Sequence, residues 1–154
     1  MKIAFKLALS LAVMGLVPEI DAGCCQNGWI QYEDHCYFID YETRLTFAGA
    51  WLLCSSYGAY PVRLDTFAEY EFLRGFLKKT QAITPWIGLT DKAYEGIWRW
   101  YGTETHATFS DWGPGEPNNN GNEDCVQLYS GYDYRSNDTP CHGQLTPLCE
   151  KDSI

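Results

Sequence analysis

Seven cysteines constrain this chain more than any other feature of its sequence. They stand at positions 24, 25, 36, 54, 125, 141 and 149. In an oxidising, extracellular compartment cysteines of a small domain form disulfides that hold the fold together. Because seven is odd, one cysteine is left over. The Cys-x-x-Cys spacing of zinc sites is absent and the three histidines are scattered, which argues against a structural zinc ion.

The first 22 residues have the pattern of a secretory signal. Lys2 and Lys6 open the segment, an apolar run follows, and Ala22 is a small residue at the expected cleavage point. The apolar run is shorter than the ~20 residues that cross a bilayer. We therefore predict a signal peptide at 1–22, one domain at 23–154, and a secreted, extracellular protein.

The net charge of the chain is −9, and the predicted signal carries two lysines and two acidic residues, so its removal leaves that charge unchanged. A surface of this sign repels phosphate backbones and anionic lipids, which argues against nucleic acid as a partner and against membrane insertion. The same surface suits a protein that binds divalent cations.

Local patterns in the first half of the domain predict a hairpin and a helix. Aromatic and polar residues alternate at 28–40, as in a hairpin with one buried face, and Cys25 and Cys36 could staple its base. An apolar stripe at helical spacing then runs over 47–57 and stops at a glycine. This stripe predicts an amphipathic helix that carries Cys54 inward.

A second helix is predicted after a short extended segment at 62–65. Thr66 and Glu69 form the Thr-x-x-Glu capping pattern in front of apolar residues at helical spacing, and the helix should end near Lys78 and Lys79. Beyond it the chain changes character, with strand patterns and then a loop rich in glycine, proline and asparagine. Helices followed by strands and loops predict an α+β fold.

The strand patterns of this second half lie at 86–89 and 97–100, and the loop covers 111–122. A loop of this length inside a compact domain is usually functional or disordered. Its aromatic neighbours and Cys125 argue for order. The tryptophans in and beside these strands are assigned to packing because they alternate or flank small turns, as buried strand residues do; they are Trp86, Trp98, Trp100 and Trp112.

Oxygen-bearing side chains gather in two places, at 116–124 and at 137–138. A disulfide between Cys125 and Cys141 would draw the two groups together. Ca²⁺ takes about six to eight oxygens from carboxylates, side-chain amides and backbone carbonyls. Five converging side chains leave coordination positions free, which the vicinal hydroxyls of a sugar can occupy. Glu116 and Asn118 flank Pro117. The Glu116 carboxylate can only accept hydrogen bonds, whereas the Asn118 amide can also donate, so the pair can select the orientation of sugar hydroxyls.

Together these features resemble the C-type lectin domain over nearly the whole of residues 23–154. The resemblance is carried by Cys25-x-x-x-Trp29, Cys36-Tyr37, Cys54, Trp86-Ile-Gly-Leu89, Trp112, Glu116-Pro-Asn118, Glu123-Asp-Cys125, Asn137-Asp138, Cys141 and Cys149. It implies the long form of the C-type lectin fold, with two helices, antiparallel sheets and a long calcium-binding loop region. It also implies three disulfides, Cys25–Cys36, Cys54–Cys149 and Cys125–Cys141. Cys24 would then join a second chain, remain free or exchange with Cys25.

The resemblance also implies two calcium sites and a cis peptide bond before Pro117. The ligands of the sugar-binding calcium would be Glu116, Asn118, Glu123, Asn137 and Asp138. The second, structural calcium would be held by Asp91, Glu95, Asn119 and Asp124, of which Asn119 replaces a more usual acid and so weakens binding. The Glu-Pro-Asn triplet resembles the mannose-type signature, for mannose, glucose, N-acetylglucosamine and fucose. A Gln-Pro-Asp triplet would have implied galactose.

Two residues depart from a plain lectin pattern. Ser136 stands where the family has tryptophan, so an aromatic support of the loop is missing and we expect a softer loop. Asn137 begins an Asn-x-Thr sequon, and a glycan there would prevent metal binding. Pro140 and Cys141 disfavour that modification, and we retain Asn137 as a ligand. Nearby tyrosines either cover the apolar face of a bound sugar or pack within the loop; they are Tyr129, Tyr132 and Tyr134.

The sequence therefore predicts a calcium-dependent lectin for glycans on cell or microbial surfaces, with innate immune recognition as the hypothesis for its use. One site of this kind should bind a monosaccharide at about millimolar strength, so a disulfide-linked homodimer through Cys24 would add avidity. The alternative is a lectin-like module that binds a protein or an ice surface without calcium-dependent sugar recognition. A hydrolase using Glu116 and Glu123 as acid and base is a second rival, but no Gly-x-Ser-x-Gly pattern accompanies it.

Overall fold

The structure, a computed structural model, describes residues 25–81 and 83–153. The predicted signal and Cys24 lie outside the described residues. Along the described part of the chain the elements are β1 Ile30–Tyr32, β2 His35–Ile39, α1 Phe47–Ser56, β3 Tyr60–Pro61, α2 Phe67–Thr80, β4 Trp86–Thr90, β5 Arg99–Trp100, β6 Cys125–Tyr129, a 3₁₀ turn Ser130–Tyr132, β7 Arg135–Thr139 and β8 Leu148–Asp152. The predicted α+β class is confirmed.

The strands form two four-stranded antiparallel sheets. The first sheet has the order β1-β2-β8-β3, and the second has the order β5-β4-β6-β7. The first sheet therefore joins the two ends of the domain, because β8 lies between β2 and β3. The loop between β5 and β6 carries the oxygen-rich group at 116–124, and β7, which pairs with β6, carries the group at 137–138. The second sheet therefore positions both groups.

Helix α1 begins where the hydroxyl of Thr46 accepts a hydrogen bond from the Gly49 amide at 3.2 Å, a common N-cap arrangement. Its buried residues are Phe47, Ala50 and Cys54. Leu52 points outward and is 62 % exposed. The predicted helix with Cys54 inward is confirmed, although its buried face is narrower than the apolar stripe suggests.

Helix α2 begins with the predicted Thr66 cap, whose hydroxyl accepts a hydrogen bond from the Glu69 amide at 3.1 Å. The Glu69 carboxylate does not close the capping box on Thr66. It accepts instead from the Asp65 amide at 3.0 Å and from the Tyr37 hydroxyl at 2.6 Å. The cap of α2 is thereby tied to β2, and the helix continues to Thr80, where left-handed backbone follows.

Both sheets and α2 enclose the main core, and the tryptophans pack as predicted. Trp86 and Trp100 are fully buried, while Trp98 and Trp112 lie at the margin of the core with ring centroids 4.9 Å apart. Tyr134 is 7 % exposed and belongs to the same core. The reading of Tyr134 as a cover for sugar is therefore wrong.

One extended segment and one strand expected from the sequence have different bounds in the structure. The extended segment expected at 62–65 directly follows strand β3, and Val62 donates its backbone amide to the Leu148 carbonyl of β8 at 3.1 Å. The strand expected at 97–100 is reduced to β5. Ile97 closes a turn by donating its amide to the Tyr94 carbonyl at 2.9 Å, and its side chain is 42 % exposed.

All three implied disulfides are present. Cys25–Cys36 closes the start of the domain on β2, Cys54–Cys149 joins α1 to β8, and Cys125–Cys141 joins β6 to the segment after β7. Within the described residues, no helix has both the length and the apolar character needed to cross a membrane.

Candidate functional site

The loop that carries Glu116 is attached to β7 through its backbone. The Gly113 amide donates to the Ser136 carbonyl at 2.8 Å, and the Ser136 amide donates to the Asp111 carbonyl at 2.9 Å. Ser136 itself is 1 % exposed. The small residue at this position thus keeps the main-chain connection between β7 and the loop.

Asp138 brings the two oxygen-rich groups together. Its carboxylate is 1 % exposed and accepts hydrogen bonds from the backbone amides of Asn118 at 3.0 Å and Asn119 at 2.7 Å. The peptide bond between Glu116 and Pro117 is cis, as the resemblance implies. The loop therefore folds back over β7, and Glu116 is placed beside the Asp138 carboxylate.

The Glu116 carboxyl group is held in an electrostatically unfavourable place. Its Oε2 atom is buried and has no hydrogen-bond partner among the described residues. Burial is the main cause that raises its pKa well above the ordinary value, and contact with Asp138 raises it further. A hydrogen bond from Tyr132 acts in the opposite direction. Such a group is stabilised in its ionised form by a cation.

Glu123 and the asparagines complete this side of the loop. Glu123 accepts from the Asn120 amide at 3.1 Å and donates its own amide to Asn119 Oδ1 at 2.7 Å. Burial raises the pKa of Glu123 first, and the negative charge of Asp138 raises it further. The Asn118 amide oxygen accepts from the Asn120 amide at 2.8 Å. The loop is thus organised by its own side chains around a cluster of negative charge.

Asn137 lies on β7 next to Asp138 and is half-buried. Its Nδ2 group donates to the Asp138 carbonyl at 2.7 Å, which fixes the orientation of the amide. The role of Asn137 as a metal ligand rather than a glycosylation site stays a prediction.

The residues expected to hold the second calcium also lie together. One carboxylate oxygen from each of Asp91, Glu95 and Asp124 lies within 4.8 Å of the other two. Among the described residues, this is the only such group of three or more histidine, cysteine, aspartate or glutamate side chains. Asp91 is 2 % exposed, and its Oδ1 atom is buried without a hydrogen-bond partner. Burial, followed by the charge of Asp124, raises the pKa of Asp91. The Asn119 side chain hydrogen-bonds to Glu95, which brings the fourth expected ligand to the cluster.

Both places fit a hard divalent cation. Each offers a set of oxygen donors, and each contains a buried carboxylate oxygen, on Glu116 or on Asp91, that lacks a hydrogen-bond partner. A buried ionised carboxylate without a partner is costly, and cation binding removes that cost. Bound Ca²⁺ would supply positive charge and coordination positions for neutral oxygens.

Sequence reasoning missed one partner of the site. It treated Tyr132 only as a cover for sugar or as loop packing, whereas the tyrosine hydrogen-bonds to Glu116. The two residues are 16 positions apart, and no local pattern signals their contact. Tyr129 lies beside Tyr132 with 5.0 Å between ring centroids and is 39 % exposed, so it is the more accessible ring of the pair.

Comparisons with known proteins agree with this geometry. The sequence model described as Lectin C-type domain matches residues 43–151. The chain is 38 % identical over 135 residues to C-type lectin domain family 4 member E of Mus musculus, covering 85 % of this chain and 62 % of the relative. It is 31 % identical over 128 residues to a perlucin-like protein of Mytilus galloprovincialis, covering 81 % of each. The chain thus spans about three fifths of the mouse relative.

Solved structures give the same result at the level of the fold. The human scavenger receptor C-type lectin carbohydrate-recognition domain superposes with a TM-score of 0.76 at 29 % identity, covering 84 % of this chain and 99 % of that one. A calcium-independent type II antifreeze protein superposes with a TM-score of 0.77 at 24 % identity, covering 86 % and 98 %, and shares the fold alone. C-type lectin domains generally bind calcium and glycans and are generally not enzymes. With the fold, the disulfides and the family model in agreement, the chain belongs to the C-type lectin domain family.

Proposed function

We propose that this protein is a secreted, calcium-dependent lectin for mannose-type glycans. The observation that carries the proposal is the junction at Asp138, whose buried carboxylate holds the backbone of Asn118 and Asn119 beside Glu116. The sugar-binding ligands would be Glu116, Asn118, Glu123, Asn137 and Asp138.

The two residues that flank Pro117 would provide selectivity. Glu116 can accept a hydrogen bond from one sugar hydroxyl, while the Asn118 amide can donate to the next. An acceptor and a donor in this order suit neighbouring equatorial hydroxyls such as the 3- and 4-hydroxyls of mannose. The second cluster, at Asp91, Glu95 and Asp124, would hold a calcium ion that supports the loop.

Secretion is supported by the three disulfides, because such bonds persist in oxidising compartments. Recognition of cell or microbial glycans in innate immunity, and a homodimer through Cys24, belong to the same proposal. A single shallow site has a millimolar affinity of about 4 kcal/mol, so a second copy would raise avidity.

The proposal is tested by affinity chromatography on immobilised mannose. We expect the secreted protein to be retained in millimolar calcium and released by EDTA, with fucose competing and galactose competing poorly. Retention that is equal with and without calcium, or absent in both, contradicts the proposal.

A matched pair of substitutions controls for selectivity. Glu116→Gln combined with Asn118→Asp reverses the donor and the acceptor around Pro117, so preference should move toward galactose while calcium-dependent retention persists. A double variant that keeps the mannose preference of the unaltered protein would show that this pair does not choose the sugar.

The alternative function is a lectin-like module that binds a protein or an ice surface. The likeness to a calcium-independent antifreeze protein favours it at the level of the fold. No retention on any monosaccharide, together with thermal hysteresis or capture of a protein ligand in EDTA, would support this alternative.

A further inference from the structure

The ring of Tyr132 lies directly against Gly113, in the loop that carries Glu116. A Cβ atom built on Gly113 would stand 2.5 Å from Tyr132 Cδ2 and 3.1 Å from Cγ. Only a glycine leaves room for the ring at this position. Gly113 is also the residue whose amide bonds to Ser136 on β7. The ring therefore packs on the segment through which the loop is attached to the second sheet.

The hydroxyl of the same residue reaches the other end of this segment. Tyr132 donates a hydrogen bond to the Glu116 carboxylate, three residues beyond Gly113. Glu116 otherwise has a buried oxygen without a hydrogen-bond partner. A single side chain thus contacts both the attachment point of the loop and a candidate calcium ligand.

Tyr132 lies between two paired strands of the second sheet. It ends the 3₁₀ turn Ser130–Tyr132, which joins β6 to β7. Its ring stands edge-on to Tyr129 with 5.0 Å between centroids. Within the described residues, Glu116 has a hydrogen bond from Tyr132 and none from Tyr129. Removing the hydroxyl of Tyr129 is therefore a control for removing the hydroxyl of Tyr132.

We propose that Tyr132 is a positioning residue of the site, whose ring fixes the loop at Gly113 and whose hydroxyl aims the Glu116 carboxylate. The inference rests on the proposed function, since it assigns a role toward calcium held by Glu116. It develops the loop-packing alternative for Tyr132, because the ring packs against the protein at Gly113.

The hydroxyl is tested with two matched substitutions, Tyr132→Phe and Tyr129→Phe. We expect Tyr132→Phe to weaken calcium binding roughly tenfold, the factor expected for one lost hydrogen bond to a charged group. Tyr129→Phe should change it less than about twofold, since it removes a hydroxyl that does not contact Glu116. Calcium affinity is measured by isothermal titration on the full secreted protein, and the thermal midpoint in EDTA is measured for each variant.

The ring is tested by a double-mutant cycle in EDTA. Gly113→Ala should destabilise the calcium-free protein, with a roughly tenfold change in the unfolding equilibrium constant, because its new methyl group meets the Tyr132 ring. In a Tyr132→Ala background the same substitution should have little effect. The backbone of Gly113 is outside the left-handed region, so alanine brings no backbone strain there.

The outcomes separate the two claims. If the unaltered protein binds no calcium, the proposed function fails. If it binds calcium and both Phe variants bind equally well, the positioning role of the hydroxyl is wrong. If Gly113→Ala costs the same with Tyr132 present or absent, the positioning role of the ring is wrong. A fall in calcium affinity with an unchanged midpoint in EDTA is the result that a merely structural tyrosine would not produce.

Discussion

At the scale of single residues, Glu150 is a buried carboxyl group outside the candidate site. It is 2 % exposed in β8, and its carboxylate accepts hydrogen bonds from the Arg63 amide at 2.8 Å and the Tyr60 hydroxyl at 3.3 Å. His35 Nδ1 lies 2.9 Å away. Burial is the main cause that raises the pKa of Glu150 to about 8, and the negative charge of Glu69 raises it further.

This raised pKa predicts that the calcium-free protein loses stability as the pH rises from about 4.5 to about 8. The folded pKa of about 8 lies above the ordinary value of 4.5, so the folded state binds more protons than the unfolded state between them. The contribution is fully present below about pH 4.5 and is lost as pH rises through 8. Urea unfolding in EDTA should show a loss of about 1 to 4 kcal/mol, and Glu150→Gln should flatten the profile.

The nearby imidazole of His35 needs a control, because it contacts the Glu150 carboxylate directly. A His35→Gln background removes it, and the effect of Glu150→Gln should persist there. A pH profile that is unchanged by Glu150→Gln in both backgrounds would show that this carboxyl group is ionised in the folded protein throughout the range.

At the scale of elements, the contact between β3 and β4 depends on the absence of a side chain. The Gly88 amide in β4 donates to the Val62 carbonyl at 2.8 Å. A Cβ atom on Gly88 would lie 2.7 Å from the Pro61 carbonyl oxygen, which is backbone and cannot swing aside. The Trp-Ile-Gly-Leu motif thus includes a glycine because two strands from different sheets approach each other there.

Gly88→Ala and Gly75→Ala should therefore change stability in opposite directions. The first should cost about 1 to 3 kcal/mol through overpacking. The second lies in the middle of α2 with open space around it, so alanine should add about 0.5 to 1 kcal/mol through helix propensity. Urea midpoints of both variants test this, and a Gly88→Ala protein as stable as the unaltered one would disprove the close approach.

At the scale of the whole molecule, the disulfides differ in how much chain they enclose. Cys54–Cys149 links residues 95 positions apart and joins α1 to β8, whereas Cys25–Cys36 links residues 11 apart at the edge of the first sheet. The longer loop restricts the unfolded chain more strongly. It also connects the first helix to the strand that lies between β2 and β3.

Removing the two bonds separately should show this difference. Loop entropy predicts a cost of about 4.7 kcal/mol for the pair Cys54→Ala and Cys149→Ala, and about 2.8 kcal/mol for Cys25→Ala and Cys36→Ala. Equilibrium urea unfolding in EDTA measures both. Equal losses, or a greater loss from the shorter loop, would show that packing around the cysteines outweighs the entropy of the enclosed chain.

Much of this architecture could be predicted because its signals are local. The Thr66 cap and the inward-facing Cys54 follow from spacing within one helix. The strand at 97–100 could not be bounded in the same way, because the turn closed by Ile97 competes with it. The resemblance to a family supplied the disulfide pairing, which spacing alone leaves open.

The sequence by itself determined the fold class, the cysteine frame and the residue types able to hold a cation, because these depend on periodicity and on side-chain chemistry. Only the tertiary structure decided which groups meet. It placed Asp138 under the backbone of Asn118, buried Tyr134 in the core and set Tyr132 against Glu116. Each of these arrangements brings together segments that are far apart along the chain. The packing of the two sheets therefore decides whether a polar side chain has a hydrogen-bond partner, is exposed to solvent or is buried without a partner.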